Sequence, residues 1–400
     1  MFLRPRILLI AFLSLAMLAP MQASKQIIRV GPDLKLPFSP AVKAGQFIYV
    51  AGAVATDEDG KIIPGDISVQ TKRVLDNLSK VLVAAGSNIQ HVASVNVYLK
   101  NVSDFQAMNK VYQTYWPKNP PARTTVQGNL VVPEALIEIA MVAIPNGGER
   151  KIIHPAPWPM AAAPYSYGIL SGDTLFLAGL VSRRGKDNSI VEGDMQAQTA
   201  AVMENVGEVL NAAGMTFADI VSSRVYITDS AHFQAMNAAY RKYFPKNPPA
   251  RATVRAALMA PQFLLEISTV AVKGGTREAF TTPNPDGSAG QPNPNLSSAI
   301  RVGNRLYVSG MLGNTSTNKG DIKGQTQETL VRIGRTLSSA GFDWKDVVDG
   351  VVYITDVRNF AGMNEAYREI FTKDFPARAT VESGLVAPEG LVEIMFTAVK

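Results

Sequence analysis

The hexapeptide KNPPAR occupies residues 118–123, recurs unchanged at 246–251 and returns as KDFPAR at 373–378. The arginines that end these stretches are 251 − 123 = 128 and 378 − 251 = 127 residues apart. Such a period is that of a whole domain and exceeds the roughly 20–50 residues of a solenoid repeat. The sequence therefore predicts three copies of one domain.

The text around each hexapeptide repeats as well. A helix-like segment precedes it and reads FQAMN at 105–109, FQAMN at 233–237 and FAGMN at 360–364. Stretches rich in Gly, Pro and Asn, at 144–151 and 281–295, favour turns and linkers between the copies. We predict domains at residues 25–146, 150–273 and 278–400.

Each copy alternates strand-like and helix-like segments. In the first copy a β-branched and aromatic run at 46–54 is followed by a helix with an N-cap residue, Asp66, and a C-terminal stop, Gly86. The order of β, α, β, α, β, β predicts an α/β (α+β) fold, a mixed sheet with two helices on one face. The other face needs a cover, so we expect the copies to cover one another around a pseudo-threefold axis.

Composition excludes several kinds of site. The chain has no cysteine, and none of its histidines (His91, His154 and His232) has a counterpart in the other copies. A catalytic thiolate, a Cys-based metal site and a triad or zinc site repeated in every domain are therefore excluded. The net charge of +6 is spread along the chain, so no nucleic-acid partner is expected. No metal and no cofactor are predicted.

The N-terminus has the order of a secretory signal. Arg4 and Arg6 precede an apolar run at 7–18, and Ala23 offers a small residue for cleavage. We predict a signal peptide at residues 1–23 and an exported protein, periplasmic or secreted, with no membrane association after cleavage. An uncleaved N-terminal anchor is the alternative.

Each repeated arginine has a glutamate fifteen residues later (138 − 123 = 15), giving the pairs Arg123 with Glu138, Arg251 with Glu266 and Arg378 with Glu393. We expect the members of a pair to be near neighbours across a hairpin, where they form a cross-strand salt bridge or part of a site. The glutamates lie in apolar strands, which favours a site. There the arginine would bind a carboxylate through two parallel hydrogen bonds. The sequence leaves two interpretations open for Asn109, Asn237 and Asn364. They are either exposed or capping residues, or residues that lie beside the arginines.

These motifs resemble the YjgF/RidA/L-PSP family, whose members carry FPAR or PPAR followed by glutamate in a closing strand. The resemblance covers all three copies. It implies a chorismate-mutase-like fold and a homotrimer with a ligand cleft between each pair of neighbours. One chain with three fused units would be self-sufficient as a pseudo-trimer.

The resemblance also implies an activity, the hydrolysis of amino-acid-derived enamines and imines to 2-keto acids and ammonia. The arginines would anchor the carboxylate of the substrate, assisted by the backbone N–H groups of Thr125, Thr253 and Thr380. Glu138, Glu266 and Glu393 would place or activate water. Asn109, Asn237 and Asn364 match residues that line the cleft.

The chain departs from the family pattern at three places. The family's tyrosine is present only as Tyr165, with Phe38 and Leu296 at the matching positions, and its serine only as Ser309, with Ala51 and Ala178. Threonine replaces the cysteine that many members carry after the arginine. We expect a cleft between copies to combine Tyr165 with Ser309. Two alternatives stay open: a non-catalytic module that binds small carboxylates or proteins, and, more weakly, an endoribonuclease or translation inhibitor.

Overall fold

The computed structural model describes residues 25–31 and 35–400, so the predicted signal peptide lies outside the described residues. The strands of the first domain are β1 (Gln26–Ile28), β2 (Ala41–Ala44), β3 (Phe47–Ala53), β4 (Val92–Leu99), β5 (Ala122–Gln127), β6 (Asn129–Leu130) and β7 (Ile137–Ala143). Those of the second are β8 (Lys151–Ile153), β9 (Gly168–Ser171), β10 (Thr174–Leu177), β11 (Ile220–Ile227), β12 (Ala250–Arg255) and β13 (Leu265–Val272). Those of the third are β14 (Arg277–Phe280), β15 (Ala299–Val302), β16 (Arg305–Leu312), β17 (Val347–Ile354), β18 (Ala377–Glu382), β19 (Gly384–Leu385) and β20 (Val392–Val399). The α-helices are α1 (Ile67–Ala84), α2 (Phe105–Tyr115), α3 (Met195–Ala212), α4 (Phe233–Tyr240), α5 (Ile322–Ser339) and α6 (Phe360–Ile370).

Each domain contains one mixed sheet, and the predicted fold class is confirmed. The first sheet has the order β1-β2-β3-β7-β4-β5, in which β4 and β5 run parallel and the other pairs antiparallel. The parallel pair is joined through α2, as a parallel connection requires. The order β3-β7-β4-β5 of the first sheet recurs in the other two sheets as β10-β13-β11-β12 and β16-β20-β17-β18.

The long helices begin and end where the sequence predicts. The Asp66 carboxylate accepts a hydrogen bond from the Val69 N–H at 3.0 Å, which satisfies one free donor of the first turn of α1. Gly86 adopts a φ of 78° just past the helix, a conformation that favours glycine. Equivalent caps and stops flank α3 and α5. The helices bury one apolar face on the sheet of their own domain.

The face of the sheets that lacks helices is covered by the other domains. One buried apolar cluster there takes residues from all three sheets, with Tyr98, Tyr226 and Tyr353 at matching positions. The hydroxyl groups of Tyr226 and Tyr353 lie 3.1 Å apart. This shared cluster supplies the cover that the exposed sheet faces require.

Short strands pair across domain boundaries in a cyclic order. Strand β6 of the first domain pairs with β18 of the third, and β19 of the third pairs with β12 of the second. Leu258 of the second domain forms a bridge to Val126 in β5 of the first. Each domain therefore extends the sheet of one neighbour. The pseudo-threefold arrangement of the domains stays a prediction.

Residues 25–31 and 35–400 contain neither a membrane-spanning helix nor a cluster of metal-binding side chains. None of the described helices is long and apolar enough to cross a membrane. Within the same residues, no group of three or more His, Cys, Asp or Glu side chains is placed to hold a metal ion.

Candidate active site

The hexapeptide forms a tight turn that leads into the arginine strand. Asn119, Asn247 and Asp374 adopt φ values of 54°, 46° and 47°, in the left-handed region that Asn and Asp tolerate better than other side chains. The prolines that follow fix φ and donate no backbone hydrogen bond. The repeated sequence thus sets the direction in which the chain enters β5, β12 and β18.

Aromatic side chains of the second helix of each domain pack against the arginine. The Cζ atom of Arg123 lies 4.7 Å from the centre of the Tyr112 ring and 5.7 Å from that of Phe105. Arg251 and Arg378 have the same ring pairs, Tyr240 with Phe233 and Tyr367 with Phe360. Sequence reasoning missed these rings, although F-x-x-M-N-x-x-Y repeats in all copies and places its residues on one helix face.

Two of the three asparagines bind the arginine directly. Arg251 Nη2 donates to Asn237 Oδ1 at 2.6 Å, and Arg378 Nη2 donates to Asn364 Oδ1 at 2.8 Å. In the first domain Asn109 Oδ1 is buried without a hydrogen-bond partner. The asparagines are buried residues of the arginine pocket, and neither exposed nor capping groups.

The prediction that each arginine and the glutamate fifteen residues later are neighbours across a hairpin is wrong. Arg123 lies on β5 and Glu138 on β7, and β4 runs between these two strands. In register, Arg123 is opposite Val95 and Glu138 is opposite Tyr98, three residues further along β4. Because two strand spacings separate β5 from β7, the two strands lie about 10 Å apart. Arg123 and Glu138 therefore form no cross-strand salt bridge.

Each glutamate instead meets the arginine strand of a neighbouring domain. The Thr125 N–H, two residues after Arg123, donates to Glu266 Oε1 of the second domain at 3.3 Å. Thr253 donates in the same way to Glu393, and Thr380 to Glu138. We name the resulting sites the 1–2 cleft (Arg123 with Glu266), the 2–3 cleft (Arg251 with Glu393) and the 3–1 cleft (Arg378 with Glu138).

A strand glycine makes room for each glutamate. A Cβ atom placed on Gly52, Gly179 or Gly310 would lie 1.9–2.0 Å from Oε1 of Glu138, Glu266 or Glu393, respectively. No side chain fits at that distance, so a larger residue would displace the carboxylate. These glycines are site residues that the sequence marks only by their repetition.

A serine ahead of the second strand ties the hexapeptide turn to the next domain. Ser166 of the second domain donates through its N–H to Pro121 O at 3.1 Å and through Oγ to Pro120 O at 2.6 Å. Ser39 and Ser297 make the same pair of bonds to the turns of the third and the second domain. The residue before each serine is Phe38, Tyr165 or Leu296. Phe38 lies over the guanidinium of Arg378, and Tyr165 lies close enough to Arg123 for the charge of the arginine to act on its phenol.

Burial gives the site groups unusual proton affinities. Glu138, Glu266 and Glu393 are at most 6% exposed, and desolvation raises the pKa of each carboxyl from 4.5 to about 8 against the opposing effects of the Thr N–H and the arginine. Desolvation also lowers the pKa of each buried arginine, that of Arg378 to about 10. A carboxyl with a pKa near 8 can both accept and return a proton close to neutral pH.

The structure separates Tyr165 from Ser309, and their predicted combination in one cleft is wrong. Tyr165 lies in the 1–2 cleft, where burial raises the pKa of its phenol, and the nearby charges of Glu266 and Arg123 act on it in opposite directions. Ser309 lies in the 2–3 cleft, where its Oγ accepts from the Arg251 N–H at 2.8 Å and donates to Ser297 O at 2.6 Å. Ser309 therefore holds the main chain of the arginine strand.

The guanidinium groups keep free hydrogen-bonding capacity. Arg123 Nη1, Arg251 Nε and Arg378 Nε are buried without a partner, as are the Oγ1 atoms of Thr125, Thr253 and Thr380. No carboxylate of the described residues lies within 4.0 Å of these guanidinium groups. A buried donor without a partner is costly, and an anionic ligand would satisfy it. The clefts are therefore suited to a small carboxylate.

The fold resembles that of a solved chorismatase, with a TM-score of 0.51 over 78% of this chain and 93% of that one at 16% identity. Escherichia coli TdcF with bound serine is 31% identical and covers 31% of this chain and 99% of its own, with a TM-score of 0.30. The fold and the repeated arginine–glutamate clefts define a protein of three fused α+β domains.

The family follows from sequence matches. The model of the Endoribonuclease L-PSP family matches residues 30–145, 156–273 and 287–400, and this chain belongs to that family. A RutC family protein of Pyrococcus abyssi is 44% identical over 108 residues, 27% of this chain and 85% of the relative. The 3-aminoacrylate deaminase RutC of Acinetobacter baylyi is 41% identical over 113 residues, 28% of this chain and 90% of the relative.

Proposed function

We propose that the protein hydrolyses small enamines and imines that carry a carboxylate, releasing a 2-keto acid and ammonia. The observation that carries the proposal is the recurrence, in three clefts, of a buried arginine with an unpartnered N–H group. Each faces a neighbour's glutamate whose pKa is near 8. A relative named 3-aminoacrylate deaminase supports the same class of reaction.

The arginine binds the carboxylate of the substrate, which orients the adjacent C=N bond. The stacked Tyr and Phe rings and, in two clefts, the asparagine hold the guanidinium in place. Because the arginine is buried, the hydrogen bonds to the carboxylate are little screened by water. This division assigns binding to one domain and proton transfer to the next.

The glutamate moves protons during the addition of water. The ionised carboxylate takes a proton from water as the oxygen bonds to the imine carbon, and returns it to the nitrogen to give a carbinolamine. It then removes the hydroxyl proton and delivers it to the leaving amine. The C–N bond breaks, and the products are a 2-keto acid and ammonia. General acid–base catalysis of this kind contributes about 10²–10⁴-fold.

The test measures keto-acid release from an imine that an amino-acid oxidase makes in situ, above the spontaneous rate. We expect acceleration by the wild type and an approximately 100-fold or larger loss in Glu138→Gln/Glu266→Gln/Glu393→Gln. The triple arginine variant, R123A/R251A/R378A, should lose both the acceleration and the binding of pyruvate in calorimetry. A wild-type rate equal to that of buffer for several amino acids contradicts the proposal, and pyruvate binding without turnover supports the non-catalytic alternative.

A further inference from the structure

The 3–1 cleft opens into a large cavity. Its volume is about 1150 Å³, and its walls include Arg378, Thr380 and Glu138 together with β3 and α1 of the first domain. Sites of about 300–1,000 Å³ hold drug-sized ligands. The cavity is thus much larger than an imine of a few heavy atoms requires.

The surface that lines this cavity is mostly apolar. Phe38, Val54, Val81, Val131 and Phe360 line it, and Phe38 also lies over the guanidinium of Arg378, with 5.6 Å between Cζ and the ring centre. Charged side chains of both signs also line it, among them Lys80 and Glu58, which are exposed. A ligand that places its carboxylate at Arg378 therefore has a mostly apolar surface available for the rest of its body.

The second domain fills the equivalent space with a tryptophan. Trp158 Nε1 donates to Glu208 Oε2 at 2.6 Å, and Glu208 matches Lys80 because each follows its helix N-cap by 14 residues (208 − 194 and 80 − 66). The Trp158 ring also packs on Gly185, where a Cβ would lie 1.9 Å from Cε2. Gly185 matches Glu58 of the cavity wall. The two positions correspond because Glu58 follows Thr56 of the Thr56–Ile62 β-bridge by two residues, and Gly185 follows Arg183 of the equivalent Arg183–Ile190 β-bridge by two residues.

The third domain fills the space with other groups. Arg332 Nη1 donates to Leu312 O at 2.7 Å, and these residues match Asn77 and Val54 of the cavity wall. Thr282 of the preceding linker joins Thr336 through their hydroxyl groups, 2.8 Å apart, and Thr336 matches Val81.

One strand position shows the same difference. The residue after the site glycine is Ala53 in the first domain, Leu180 in the second and Met311 in the third. Ala53 lines the cavity, whereas Leu180 and Met311 are buried in the cores of their domains. A small residue at this position leaves space that a longer one occupies.

We infer that the 3–1 cleft takes carboxylates with an aromatic or long apolar side chain, such as aryl 2-keto acids and their imines, while the other two clefts take only small ones. The inference rests on the proposed function for the identity of the reactive group. It goes beyond that function in assigning different substrates to clefts of one chain.

The test is calorimetric titration of the purified protein with phenylpyruvate and with pyruvate. We expect one phenylpyruvate site per chain, weakened about tenfold or more by Arg378→Ala and unchanged by the matched variants Arg123→Ala and Arg251→Ala. Ala53→Met introduces the third domain's residue, and it should weaken phenylpyruvate binding while pyruvate binding stays. The converse variant, Trp158→Ala, should add a second phenylpyruvate site that depends on Arg123.

Two or more phenylpyruvate sites in the wild type, loss of the site in Arg251→Ala, or unchanged affinity in Ala53→Met would overturn the inference. The outcome is separable from that of the proposed function. An Arg378-dependent phenylpyruvate site without imine hydrolysis supports the inference and contradicts the reaction. Hydrolysis of small imines without such a site supports the reaction and contradicts the inference.

Discussion

Glu138, Glu266 and Glu393 keep their protons in the folded protein at pH values at which the unfolded chain has lost them. Their folded-state pKa is about 8, against an ordinary value of 4.5. An acid with a raised pKa binds more protons in the folded state between these values, so the free energy of unfolding falls as the pH rises from about 4.5 to about 8. The same burial that tunes the carboxyl for proton transfer therefore costs stability.

A single amide substitution should remove this cost. At pH 4.5 we expect the free energy of unfolding of Glu393→Gln to differ from that of the wild type only by an offset that does not depend on pH. From pH 4.5 to pH 8.5 the free energy of unfolding of the variant should rise relative to that of the wild type. The gain should be a few kcal/mol, since one unit of pKa shift corresponds to about 1.4 kcal/mol. Urea unfolding at the two pH values measures it, with the exposed Glu149→Gln as the control. A difference between variant and wild type that does not change with pH would contradict the assigned pKa.

At the scale of single residues, the sequence identified the groups but not their partners. Arg251, Glu266 and Asn237 stand out because polar residues recur at fixed places in apolar text. Their surroundings depend on two domains at once, and one sequence does not show which copies touch. The Tyr and Phe rings around each arginine were missed because aromatic residues on a helix face are most often core residues.

At the scale of elements, the hexapeptide turn depends on a left-handed residue. Asn247 has a φ of 46°, which costs a β-branched side chain roughly 1–2 kcal/mol and glycine nothing. We expect Asn247→Val to lower the melting temperature and to weaken pyruvate binding at the 2–3 cleft, whereas Asn247→Gly should leave both close to wild type. Differential scanning fluorimetry and calorimetry provide the two readings. Equal effects of valine and glycine would show that backbone conformation is not what the asparagine supplies.

Helices and strands were predictable because their signals are local. The Asp66 cap, the Gly86 stop and the alternation of strands with helices all lie within short stretches of sequence. The order of strands in the sheet is not local. A spacing of fifteen residues suggested a hairpin between β5 and β7, but β5 takes the edge of the sheet and leaves β4 between them. No local signal distinguishes these two arrangements.

At the scale of the whole molecule, fusion allows the three clefts to differ. In a ring of identical chains every cleft has the same residues, whereas here the residue before the serine that binds the hexapeptide turn is Phe38, Tyr165 or Leu296. The interdomain strands β6 and β19 and the shared apolar cluster hold the clefts together. Divergence of the clefts therefore needs no change in how the domains pack.

Each site joins the arginine strand of one domain to the glutamate of another. The most direct test is imine hydrolysis in the background Arg251→Ala/Arg378→Ala, which leaves only the 1–2 cleft with its arginine. We predict that this background retains activity, that adding Glu266→Gln abolishes it and that adding Glu138→Gln has no effect. Loss of activity on adding Glu138→Gln, with Glu266→Gln tolerated, would contradict the pairing of Arg123 with Glu266 and support the pairing of Arg123 with Glu138 within one domain.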